Sequence, residues 1–121
     1  MGVVYHGNYL AFFESGRVEA MRQVGADYAS AVRRGVHVPV VEAAVRYRQP
    51  AVFDDVLIVH TRTSEIGNSR FTFVYEIVRE SDGAHVASGQ TVHACVDAHT
   101  RRPLRIPDWL REDLERLSIG R

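Results

Sequence analysis

The chain reads as α+β, with an antiparallel sheet wrapped around one long central helix. Three observations predict this. The run from Tyr9 to Val24 is apolar on nearly every side when wound as a helix, which marks a helix for burial. From about residue 41 the hydrophobic period drops to two, and four strand-like segments follow. Short turns join the last three, so these must be largely antiparallel.

The elements follow in order. Asn8 is a candidate N-cap for the first helix, because its side-chain oxygen can accept from an orphaned backbone N–H. Gly25 suits the left-handed residue that closes it. A short second helix is expected over 27–34, capped by Asp27, ended by Gly35 and carrying Arg33 and Arg34 in its last turn. Val41, Ala43, Val45 and Tyr47 alternate with Glu42, Ala44, Arg46 and Arg48, the pattern of a half-buried strand that Pro50 ends. A β-branched strand is expected over 56–63. After a reversal at Gly67-Asn68, Phe71, Phe73, Tyr75 and Ile77 share one face of a third strand. Asp82-Gly83 suggests a type I′ hairpin, in which both residues take positive φ. The last strand is expected over 85–97, with Val86, Val92, Ala94 and Val96 on one face. A terminal helix opens near Pro107-Asp108 and carries Leu110, Leu114 and Leu117 on one side.

Composition narrows the function. With 121 residues the chain is one domain large enough for an ordinary core. Fifteen basic residues balance fifteen acidic ones, so the footprint of a nucleic-acid binder is missing. No stretch has the length of a membrane span. The single cysteine, Cys95, rules out an intrachain disulfide and fits a reducing cytoplasm.

Three blocks carry a resemblance. The first is Gly2-Val3-Val4-Tyr5-His6 with Asn8-Tyr9, Phe12-Phe13-Glu14, Gly16-Arg17 and Glu19. The second is Tyr47-Arg48-Gln49-Pro50 with Phe53-Asp54-Asp55, and the third runs from Gly89 to Asp97, followed by Arg102-Pro103 and Ile106-Pro107. Together they resemble hotdog-fold acyl-CoA thioesterases of the 4-hydroxybenzoyl-CoA thioesterase family, including its Tol-Pal-associated members. The resemblance implies a single hotdog domain over 1–121 that hydrolyses a short or medium acyl, or an aroyl, thioester. Coenzyme A is then part of the substrate, and no cofactor or metal is needed. It also implies a homodimer or homotetramer, with sites between subunits. The family's catalytic aspartate lies three residues before the position of Gly2, on an N-terminal strand. That position precedes Met1, so Met1 is expected to be an internal methionine of a longer protein.

Candidate site residues follow. A helix N-terminus presents free N–H groups and partial positive charge, and can hold an oxyanion. His6 lies just before the expected helix start, and the resemblance implies that its backbone N–H polarises the thioester carbonyl, with a side-chain role possible in some members. Water activation or direct attack needs a carboxylate. Glu14 is the first candidate within the chain, against a structural role paired with Arg17 three residues on. Glu19 can pair with Arg22 by the same spacing. Tyr5 and Asn8 are candidates for lining the substrate, with capping the preferred role of Asn8. Ser69 and Arg70 are candidates for the CoA phosphates. Asp54-Asp55 is explained by a polar turn. His60, His85, His93 and His99 are read as structural, because zinc needs converging ligands that His93, Cys95 and Asp97 at strand spacing do not supply. The alternative to an enzyme is a hotdog protein that binds an acyl thioester or a partner without turnover.

Overall fold

The computed structural model describes residues 6–52 and 54–120, with the backbone alone at 6–8, 119 and 120. Helix α1 (His6–Gln23) leads to α2 (Tyr28–Arg33) and the two-residue strand β1 (Val36–His37). The long strands β2 (Val40–Tyr47), β3 (Leu57–Ile66), β4 (Arg70–Arg79) and β5 (His85–Ala94) follow, then β6 (Val96–Asp97) and helix α3 (Asp108–Gly120). The long strands form one antiparallel sheet in the order β2-β5-β4-β3. β1 and β6 form a separate small ladder. No helix among the described residues is long and apolar enough to cross a membrane.

α1 crosses this sheet from one edge to the other. The Tyr9 ring lies 5.3 Å from that of Tyr47 on β2. Phe13 stacks on Tyr75 of β4 at 4.4 Å. Gly16 abuts Val59 and Thr61 of β3. Glycine at position 89 on β5 makes the crossing possible, because a Cβ there would sit 2.4 Å from the Phe13 ring and 2.5 Å from the Ala44 carbonyl oxygen. The helix ends in a Schellman motif: Ala26 N–H donates to Met21 C=O at 2.9 Å, Gly25 N–H to Arg22 C=O at 3.1 Å, and Gly25 has φ +85°.

Several sequence expectations need correction. α1 is not buried all round. Tyr9, Phe13 and Met21 are buried, whereas Leu10 and Val18 are 44% and 54% exposed on the face turned away from the sheet. Asn8 is the third residue of α1 rather than its cap. The low helix propensity of asparagine costs only a few tenths of a kcal/mol, less than the packing of Tyr9 and Phe13 returns. Asp27 does hold the N-cap position of α2, without a side-chain cap bond.

β2 is exposed on both faces except at half-buried Val45, because it is an edge strand that α1 covers only at one end. The inner face of β5 is Ala87, Gly89, Thr91 and His93, not Val92 and Ala94, since pairing with β4 sets its register. β5 also stops at Ala94, and Val96 joins β6 instead. Asp82 lacks positive φ; only Gly83 has it, at +70°, and residues 80–84 make a longer loop than type I′.

The core follows the alternation of β4, with Phe71, Phe73, Tyr75 and Ile77 buried. Leu110 and Leu114 of α3 close one end, and Leu117 is half-buried beside them. Three polar contacts hold α3 in place. Thr63 Oγ1 donates to Leu114 C=O at 2.6 Å, Arg111 to Gly67 C=O at 2.7 Å and Arg116 to Val24 C=O at 3.0 Å. Asp55 forms an ion pair with Arg79 at 3.3 Å, which fixes the turn before β3.

Candidate active site

His6 is the first described residue of α1, so its backbone N–H lies toward the N-terminal, positive end of the helix dipole. Tyr9 lies three residues further, against Tyr47 of edge strand β2. The opening turn therefore stands at the β2 edge of the sheet. The side chains of His6 and Asn8, and all of Tyr5, lie outside the described residues.

Aromatic rings surround this start. Tyr9 contacts Phe12 edge-on at 6.0 Å as well as Tyr47. Burial, and secondly the neighbouring Tyr47, raise the Tyr9 phenol above its ordinary pKa, so it stays neutral. The result is a floor of mutually tilted aromatic rings next to a positive helix end. Such a floor suits an aromatic or short aliphatic acyl group, and the helix end suits a developing oxyanion.

Glu14 is exposed and forms no ion pair with Arg17, which is half-buried and electrostatically coupled to the Tyr75 phenol. Glu14 lies eight residues beyond His6, about 12 Å along the helix axis. One water cannot bridge that distance. Ser69 and Arg70 sit at the β3–β4 turn, where Ser69 C=O accepts from Cys95 N–H at 2.8 Å. Arg70 is five residues before Tyr75, roughly 17 Å along β4 from the crossing helix. The structure thus leaves His6, Glu14 and Arg70 apart within one protomer. A cleft of about 990 Å³ runs beside the second half of α1, bordered by Gly16, Ala20, Val59 and Thr61, and does not reach the helix start.

Sequence reasoning missed a buried hydrogen-bond chain. Tyr75 Oη lies 2.6 Å from Thr91 Oγ1, Thr91 Oγ1 lies 2.8 Å from His93 Nε2, and His93 Nδ1 lies 3.0 Å from Val38 C=O. Phe71 stacks on the imidazole at 5.2 Å. Burial is the main cause that lowers His93 to about 4. A histidine bonded to a threonine at i−2 and to a main-chain carbonyl just before the neighbouring strand leaves no period in a sequence. Cys95 is buried, which pushes its thiol up. Asp97 accepts from the backbone N–H groups of His99 and Thr100, each at 2.8 Å, and these hydrogen bonds lower its pKa.

Comparison with known proteins places this geometry. The sequence profile of the Thioesterase-like superfamily matches residues 1–114. A putative acyl-CoA thioesterase of Bacillus subtilis, YneP, is 29% identical over 90% of this chain and 81% of its own. A 1,4-dihydroxy-2-naphthoyl-CoA hydrolase of Thermosynechococcus vestitus is 34% identical over 97% and 83%. Among solved structures, a DHNA-CoA thioesterase of Staphylococcus aureus superposes with TM-score 0.85 at 31% identity, over 96% of this chain and 79% of that one. A hypothetical protein of Thermus thermophilus gives 0.87 at 36%, over 97% and 88%.

Proposed function

The chain belongs to the Thioesterase-like superfamily and has its hotdog fold, and from that premise we propose how it hydrolyses acyl-CoA thioesters. The observation that carries the reading is that the N-terminal end of α1, which holds His6, lies beside an aromatic floor at the edge of the sheet. The His6 backbone N–H takes the oxyanion, and Tyr9, Phe12 and Tyr47 support an aroyl or short acyl group. Tyr5 and Asn8 flank that group.

Glu14 is the carboxylate that activates water or attacks. At about 12 Å along the axis it cannot serve His6 of its own protomer, so it serves the site of a second copy. The enzyme is accordingly a homodimer, or a homotetramer built from such dimers. Ser69 and Arg70 meet the nucleotide end of CoA. CoA is part of the substrate, no further cofactor takes part, and the partner is neither nucleic acid nor membrane. The lone thiol of Cys95 supports a cytoplasmic setting.

The test uses His6, at the N-terminal end of α1 as described. Proline is tolerated in the first turn of a helix, where its missing N–H would be unpaired in any case. His6→Pro should therefore fold, yet lose on the order of 10²–10³-fold in kcat for CoA release across a panel of acyl-CoAs. His6→Ala should keep most of its activity if the main chain is the donor. Full activity in His6→Pro would remove His6 from the site.

A further inference from the structure

Three buried polar side chains lie on the sheet face that α1 covers, where apolar residues would pack as well. Tyr75, Thr91 and His93 are all nearly inaccessible to solvent. They stand on β4 and β5, and their hydrogen-bond chain ends on the Val38 carbonyl just before β2. A buried polar network with every link made rigidifies its surroundings. Here the rigid object is a ring. The Tyr75 hydroxyl, tied to Thr91 at 2.6 Å, fixes where its phenol ring lies and how that ring is turned.

That ring carries Phe13 of α1. The two stack with centroids 4.4 Å apart and planes 8° apart. Phe13 is fully buried, and its edge occupies the space that a side chain at Gly89 would take. It is held flat by Tyr75 and edgewise by Gly89. Further along α1, Gly16 abuts the side chains of Thr61 and Val59 and serves as a pivot. The helix is unbroken from His6 to Gln23. Along its axis Phe13 lies about 4.5 Å from Gly16, and His6 about 15 Å from it. A displacement at Phe13 therefore grows roughly threefold at the His6 backbone. The contact nearer the helix end, Tyr9 on Tyr47, is softer, because Tyr47 is 44% exposed on an edge strand.

We propose that His93 is a positioning residue for the oxyanion donor, acting through Thr91, Tyr75 and Phe13 to fix how α1 lies over the sheet. The inference rests on the His6 reading above and deepens it. His93 touches no reacting atom; it sets the place of a backbone N–H at the other end of a lever. A reacting group misplaced by about 1 Å can lose on the order of 10²-fold in rate. Through the lever, a slip of only about 0.3 Å at Phe13 has that reach. The same argument explains why the residue is a histidine. Linking the Thr91 hydroxyl to a main-chain carbonyl takes a side chain with an acceptor at one atom and a donor at another, which neutral imidazole supplies and an aliphatic residue does not. Glutamine supplies both as well.

Steady-state CoA release tests this, on the acyl-CoA that the unsubstituted protein hydrolyses fastest. Urea melts give the folded fraction, and rates are taken per folded molecule. Tyr75→Phe, Thr91→Val and His93→Leu each break the chain at a different link, so a variant that fails to fold leaves the others to decide. Each should lower kcat by about ten- to hundredfold. KM should stay within about twofold, because the donor acts on the transition state. His93→Gln should keep kcat within about threefold of the unsubstituted protein. The double variant of Tyr75→Phe with His93→Leu should be no slower than the slower single one, since both cut one path. Unchanged kcat in the folded variants, a rise in KM alone, additive losses in the double variant, or a His93→Gln as slow as His93→Leu would each overturn the proposal. His6→Pro, run in parallel, separates the two levels. Full kcat there ends the oxyanion reading and this proposal together. Lost kcat there, with kcat kept in the three chain variants, ends only the proposal.

Discussion

The phenol of Tyr75 donates to the hydroxyl of Thr91, 2.6 Å away, and no other direction satisfies the buried chain. Val38 C=O can only accept, so His93 Nδ1 must carry the proton. With His93 lowered to about 4, the ring is neutral and Nε2 accepts from Thr91. The Thr91 oxygen is then left to accept from Tyr75. A one-way chain thus runs from the Tyr75 phenol to the carbonyl before β2.

This polarity makes stability depend on pH. The folded pKa of His93 lies below its unfolded value of 6.5, so its contribution is fully present above pH 6.5. That contribution falls as pH drops from 6.5 to about 4, by at most about 3 kcal/mol. Urea melts at pH 7 and pH 4.5 should show the loss, and His93→Gln should flatten this part of the profile.

Two glycines on the crossing helix path should respond differently to alanine. At Gly89 the new Cβ meets the Ala44 backbone carbonyl, which cannot move without breaking the ladder. Gly89→Ala should cost about 1–3 kcal/mol, and adding Phe13→Leu should not rescue it. At Gly16 the obstacles are the side chains of Thr61 and Val59, 2.5 and 2.9 Å away, and helix propensity favours alanine. Gly16→Ala should therefore lose less than Gly89→Ala in parallel thermal melts.

Arg79 spreads one guanidinium over three partners: Asp55 at 3.3 Å, Asp82 at 3.4 Å and Pro50 C=O at 3.2 Å. A lysine keeps the charge and loses the fork. Arg79→Lys should destabilise by about 1–2 kcal/mol and increase hydrogen exchange around residues 50–55.

A site shared between protomers predicts complementation. His6→Pro and Glu14→Gln should each be inactive. Mixing them should restore roughly a quarter of wild-type CoA release, because random reassortment makes half the dimers mixed, each with one intact site. Inactive mixtures of two inactive variants would place both groups in one protomer, and an active Glu14→Gln would exclude Glu14.

What the sequence revealed depended on how each residue is held. β4 was legible because Phe71, Phe73, Tyr75 and Ile77 alternate strictly and are all buried. The far end of α3 was legible for the same reason, through Leu110 and Leu114. β5 was not, since Gly89, Thr91 and His93 reach its inner face through close packing and hydrogen bonds rather than apolarity. The outward Leu10 and Val18 concealed the one-sided burial of α1. The two-residue ladder of β1 with β6 is too short to leave a pattern. At the site, the role of the helix start could be inferred, but not the crossing that sets it beside β2.

The sheet order also governs how the chain is made. β3, β4 and β5 are neighbours in both sequence and space, whereas β2 must wait for β5. Val45 pairs with Gly89, 44 positions later (89 − 45). At ribosomal speed that interval is roughly 2–9 s. For those seconds β2 lacks β5, its one strand neighbour in the sheet, so the nascent chain carries an unpaired strand open to any other strand edge it meets.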